Sequence, residues 1–129
     1  MYSLLLVMAG GAIGSGARFL TGQATLAAFG PGWPSGTLTV NLVGSLLMGL
    51  LAGILARTGM GGEAWGLLLG TGMLGGFTTF SAFALDTVNM AQRGDGVAAL
   101  SYVLVSVIGG LVALFAGMMV VRAVSGTGA

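Results

Sequence analysis

Four apolar stretches, each long enough to cross a bilayer as a helix, occupy nearly all of this 129-residue chain. Such a crossing takes about 20 predominantly apolar residues. The stretches run roughly from Ser3 to Phe29, Gly36 to Ala56, Ala64 to Gln92 and Val97 to Ala123. The breaks between them carry turn chemistry. GPGWPSG at 30–36 holds both prolines, TGMGGE at 58–63 is rich in glycine, and RGDG at 93–96 is a charged turn. Loops this short leave no room for a soluble domain. Any function therefore sits inside the helices or where two copies meet. The expected organisation is one membrane domain over 1–124 followed by a disordered tail, SGTGA, over 125–129. No cleavable signal peptide is expected, because the first apolar run starts at Tyr2 without a basic n-region and outlasts a signal h-region.

Composition sets the solvent. Hydrophobic residues make up 56% of the chain and charged residues 5%, against about 25% charged residues in a soluble domain. Too little polar surface is available to cover a globule in water, so the chain reads as an all-α integral membrane protein. The net charge of +1 argues against nucleic-acid binding, which requires a basic patch. The sequence holds no Lys, His or Cys, which removes disulfides, thiolate chemistry, imidazole bases and the usual zinc sites.

Four spans put both termini on one side of the membrane. Arg57 and Arg122 lie on that side; Arg93 lies on the other, with Arg18 in the half of the first helix leading to it. Two arginines against two give the positive-inside rule little to act on. Balanced charge points to insertion in both orientations and to pairing of opposite copies, an inverted repeat made from separate chains. The small-xxx-small spacings of Gly10 with Gly14 and Gly49 with Gly53 point to close helix packing.

Polar side chains within apolar helices face protein or water. Thr37, Asn41 and Ser45 are spaced four apart and so share one face of the second helix. On the fourth helix Tyr102, Ser106 and Gly110 repeat the same spacing. Both stripes fit either interhelical hydrogen bonding or a permeation path, and a Ser in such a helix commonly bonds its own backbone. The third stretch contains GMLGGFTTFSAF at 72–83, where Gly75-Gly76 and Thr78-Thr79 are poor helix formers near mid-span. A break there would free carbonyls at a depth where protein must bury them or a cavity must accept them. In an antiparallel pair the freed carbonyls of two copies could converge on a cation. Phe80 and Phe83 follow, three apart. Their positive ring edges suit a weakly held anion, and their spacing equally suits core packing. Arg18 and Asp86 are charges within apolar runs, open to a mutual pair or to snorkelling toward the interface.

Together these residues resemble the Fluc/CrcB family of fluoride channels. The resemblance rests on GGAIGSGAR at 10–18, GTLTVNLVGS at 36–45 and GMLGGFTTFSAF at 72–83, with DTVNMAQRG at 86–94 also similar. It implies an antiparallel, dual-topology homodimer in the cell's inner (plasma) membrane, with two pores that let toxic cytoplasmic fluoride leave passively. It implies that Asn41, Thr37, Phe80 and Phe83 line the pore, with Thr79, Ser81, Tyr102 and Ser106 beside them and Arg18 near the vestibule. It also implies that the carbonyls of Gly75 and Thr78 hold a structural sodium ion that is not transported. Ala82 and Ala84 stand where many relatives carry hydroxyls, and Gly110 where some carry a third polar residue, so the hydroxyl track is thinner here. A small multidrug transporter shares the size and span count, but it needs an embedded carboxylate, usually in the first helix, where this chain has Arg18. A scaffold subunit would explain the glycines but not the Thr and Phe around the weak point. No pair of residues forms a recognisable nucleophile and base, so an enzyme is not expected.

Overall fold

A computed structural model describes residues 1–58 and 62–126. Its described elements are helical: α1 (Tyr2–Phe29), α2 (Ser35–Thr58), α3 (Gly62–Trp65), a π-helical segment (Gly66–Leu74), α4 (Gly75–Phe77), α5 (Phe80–Gln92) and α6 (Gly96–Val124). The elements α3 to α5 together make the third span, so four spans are long and apolar enough to cross a membrane. The expected spans agree within a residue or two. Residues 59–61 of the glycine-rich turn expected at 58–63 lie outside the described residues. Glu63, expected in that turn, instead occupies the first turn of α3, where a carboxylate favours the helix dipole.

The turns follow from their residues. Gly30 closes α1 at φ 77° with its N–H on the Leu26 carbonyl, a left-handed conformation that costs glycine nothing. Gly94 turns the chain between α5 and α6 at φ 88°. The Arg93–Asp95 pair beside it is 4.0 Å apart and more than half exposed, so it adds little stability. Of the expected tail, Ser125 and Gly126 form a turn closed on Val121 and Ala123; residues 127–129 lie outside the described residues.

Packing is organised by glycine. α2 lies most extensively against α6, and α1 against the π-helical segment. A Cβ on Gly49 would run into the Leu114 carbonyl, and one on Gly117 would lie 2.7 Å from the Leu50 nitrogen. On the other side of the bundle, a Cβ on Gly10 would strike the Leu68 carbonyl and one on Gly14 the Met73 carbonyl. Lipid is as apolar as leucine, so close backbone approach replaces the hydrophobic effect as the attraction between spans. Among the described residues, buried hydrophobic side chains are accordingly few: Val40, Met90, Ala99 and Tyr102. Leu4, Ile13, Phe19, Leu111 and Phe115 point outward, as the walls of a bundle in hydrocarbon should.

The third span changes form within a few residues. Gly75 and Gly76 are helical, while Thr78 (φ −85°, ψ 159°) and Thr79 (φ −151°, ψ 121°) are extended before α5 begins. The two glycines, expected to share the weak point, stay in α4. A Cβ on Gly76 would lie 2.7 Å from the Gly11 carbonyl, so α1 holds that backbone in place. The extended pair is β-branched, which suits its conformation.

Candidate functional site

Extended backbone inside a span leaves amides and carbonyls that lipid cannot satisfy. Side chains from three elements take them up. Asn41 of α2 grips both backbone groups of Thr79: its Oδ1 accepts the Thr79 N–H at 2.8 Å and its Nδ2 donates to the Thr79 carbonyl at 3.0 Å. Thr79 in turn caps α5, its Oγ1 accepting the Ala82 N–H at 3.1 Å, as Thr commonly does at a helix start. Thr78 Oγ1 donates back to the Leu74 carbonyl at 3.0 Å. Arg18 of α1 donates its Nε–H to the Gly76 carbonyl at 3.1 Å.

These bonds have a consequence for carbonyls. In an unbroken α-helix each N–H donates to the carbonyl four residues earlier. The amides of Thr79 and Ala82 would then serve the carbonyls of Gly75 and Thr78. Both amides are drawn elsewhere, to Asn41 and to the Thr79 hydroxyl. Gly75 and Thr78 are thus released from the helical ladder. Two released carbonyl oxygens fit a hard monovalent cation, which takes oxygen ligands, but they do not fill its shell from one chain.

Two grooves meet at this point. One, of about 500 Å³, opens toward the 30–36 turn and is lined by Arg18, Trp33, Thr37, Thr79 and Asp86 among others. The second, of about 280 Å³, is lined by Asn41, Gly44, Ser45, Met48, Thr78, Thr79, Phe80 and Leu114. Thr79 borders both, and the Thr37–Asn41–Ser45 stripe runs from the first into the second. Phe80 is 79% exposed in the single chain, which is the opposite of core packing. Its ring lies 5.8 Å from that of Phe83 at 50°. Phe83 lies 5.2 Å from Tyr102, and Trp33 meets Tyr102 edge-on at 5.8 Å. A line of aromatic rings therefore runs from the turn to the extended residues. Ser81 is exposed beside it, its Oγ 3.4 Å from that of Thr79.

Each residue singled out in the sequence has a place. Thr37, Asn41, Thr79 and Phe80 border the grooves, and Phe83 supports Phe80. Tyr102 is fully buried and donates to Asp86 Oδ2 at 3.2 Å. Arg18 and Asp86 line the same groove without pairing: the arginine is turned to Gly76 and the carboxylate to Tyr102. Ser101 bonds its own backbone at Val97. Ser106 does not, and its buried Oγ finds no partner among the described residues. A Cβ on Gly110 would lie 3.4 Å from Ser45 Oγ, so the missing third polar group of α6 faces the α2 stripe. The double grip of Asn41 on Thr79 and the Trp33–Tyr102 contact were not foreseen. Periodicity places Asn41 on a face but does not say which backbone it meets, and Trp33 lay in a turn read only for its prolines.

Residues 5–118 match the model of a family described as CrcB-like protein, Camphor Resistance (CrcB). A protein of Sphingopyxis alaskensis called fluoride-specific ion channel FluC is 58% identical over 122 residues, 95% of this chain and 97% of that one. Proteins of the same name are 52% identical over 125 residues in Caulobacter vibrioides and 54% identical over 125 residues in Phenylobacterium zucineum, each match covering 96% of this chain and 98% of the relative. The match spans all four membrane helices and both grooves, and the chain belongs to the CrcB-like family.

Proposed function

We propose that this multi-pass membrane protein is a fluoride-selective channel that passively exports cytoplasmic fluoride across the inner membrane and so relieves its toxicity. Its relatives carry that name. The observation that carries the reading in this chain is the Asn41 grip on Thr79, which fixes an interruption of the third span between two grooves. It is a channel and not an enzyme, as its family is.

The working unit is an antiparallel homodimer with two pores. A lone chain leaves Phe80 exposed and two carbonyls released, and a second copy completes both. Residues of one chain suffice to describe the path. Arg18 and Thr37 border the entry groove and draw the anion in. Thr79, Ser81 and the ring edges of Phe80 and Phe83 replace water's hydrogen bonds in steps, because moving a bare ion into low dielectric costs on the order of tens of kcal/mol. One N–H of Asn41 is committed to Thr79, which leaves the other to face the ion. Ser106, buried and unpartnered, supplies a further hydroxyl on the α6 side. Fixed positive charge stays out of the narrow part, where it would trap the ion. The carbonyls of Gly75 and Thr78, doubled by the partner, would hold the structural sodium, which supplies charge at the dimer centre and is not transported.

Liposomes loaded with fluoride and holding the purified protein should lose it rapidly to a fluoride electrode, with negligible chloride loss. Chloride loss as fast as fluoride loss would overturn the reading. Replacing sodium on both sides by a large organic cation should abolish fluoride flux. Unchanged flux would remove the ion's role while leaving the channel intact.

A further inference from the structure

The turn at 30–36 carries Trp33 between the two prolines of the chain, Pro31 and Pro34. Proline fixes its own φ, so the backbone on either side of the tryptophan has little freedom. The turn is also tied down. The Ser35 N–H donates to the Trp33 carbonyl at 2.7 Å, and the Leu38 N–H donates to the Pro34 carbonyl at 3.2 Å. A Cβ on Gly36 would lie 3.1 Å from the Gly22 Cα, so the turn sits directly on α1. This stiff segment sets the Trp33 ring edge-on to Tyr102, 5.8 Å away at 81°. Tyr102 is fully buried; its ring lies 5.2 Å from Phe83, which lies 5.8 Å from Phe80. Anchoring at the membrane surface accounts for a tryptophan in a loop between spans. It does not account for one seated on a buried tyrosine, at the head of a series of rings that ends beside the extended residues.

We infer that Trp33 is a positioning residue of the fluoride path: it holds Tyr102 against Phe83 and so fixes the angle at which the Phe83 and Phe80 edges meet the ion. The inference rests on the channel reading above. Tyr102 needs two supports. Its hydroxyl donates to Asp86 at 3.2 Å, which fixes the tip of the side chain but leaves the ring plane free to turn about its long axis. The edge-on contact with Trp33 opposes that turn, because the positive edge and negative face of aromatic rings favour particular mutual angles. The same asymmetry makes the angle matter for the ion. An anion is stabilised by a ring's edge and not by its face, so a ring that turns loses the ion without leaving its place. Trp33 acts through Tyr102 and need not touch the ion.

The test uses the full chain carrying Trp65→Phe, which leaves Trp33 as its one tryptophan. In this background Trp33→Ala should lower fluoride efflux from liposomes by about tenfold per folded protein, the upper range for one well-placed aromatic contact. Trp33→Phe, which keeps a ring at the contact, should restore most of the flux. The fluorescence anisotropy of Trp33 reads the ring series without any flux. Phe83→Ala should lower it, because Tyr102 loses its backing and moves, and Tyr102→Leu should lower it further. Val88→Ala, at an outward-facing position of the same helix, should leave it unchanged. Undiminished efflux in Trp33→Ala, no recovery in Trp33→Phe, or an anisotropy indifferent to Phe83→Ala would each overturn the inference. A background protein that releases no fluoride would overturn the channel reading instead, and the anisotropy would still decide whether Trp33 and Phe83 are coupled.

Discussion

Replacing Asn41 by alanine is expected to stop fluoride flux and to lower the stability of the folded protein by about 4 kcal/mol. The figure follows from two backbone groups of Thr79 losing their partners, at about 1–3 kcal/mol for each unsatisfied buried group. Asn41→Asp separates the two tasks of the side chain. Aspartate still accepts the Thr79 N–H but cannot donate to its carbonyl, and it sets a negative charge beside the anion path. Its stability should fall between that of wild type and Asn41→Ala, while its flux should be as low as that of Asn41→Ala. Fluoride efflux and thermal unfolding in the same detergent would measure both. A stable, conducting Asn41→Ala protein would show that Thr79 holds its extended form unaided.

Gly49→Leu is expected to separate α2 from α6 and leave little folded protein. Even the Cβ of alanine at this position would run into the Leu114 carbonyl, with the Leu114 Cα at 3.0 Å. These are backbone atoms of a helix, which cannot rotate away as a side-chain tip can. Overpacking a well-packed contact costs about 1–3 kcal/mol for small additions, and leucine adds three more carbons than alanine. Gly16→Ala is the control. Apart from its own helix backbone, none of the described residues lies within 4 Å of its Cβ position, and alanine exceeds glycine in helix propensity by about 1 kcal/mol. Gly16→Ala should therefore unfold at or above the wild-type temperature. Destabilisation at Gly16 would show that a second copy covers that surface in the assembled protein.

Both variants mark where sequence reasoning stops. The spacing of Gly49 and Gly53 announces a close approach of helices, yet it does not name α6 as the neighbour. Thr78-Thr79 announces poor helix, but so does Gly75-Gly76, and only the neighbours distinguish them: the backbone of Gly11 fits against Gly76, while Asn41 provides the bonds that an extended Thr79 needs. Arg18 and Asp86 follow the same pattern. As two charges in apolar runs they are open to a mutual pair or to snorkelling toward the interface, but the structure gives Arg18 the carbonyl of Gly76 and Asp86 the hydroxyl of Tyr102.

The amino-acid sequence by itself determined the solvent, the number of spans, their ends and the faces on which polar groups lie. Each of these depends on local quantities: apolar length against bilayer thickness, turn residues between spans, and the 3.6-residue period. Tertiary structure alone decided which freed backbone groups meet which side chains, and hence what draws the amides of Thr79 and Ala82 away from the carbonyls of Gly75 and Thr78. That outcome depends on contacts between residues such as Asn41 and Thr79, 38 positions apart. No periodicity within one helix encodes the distance to another.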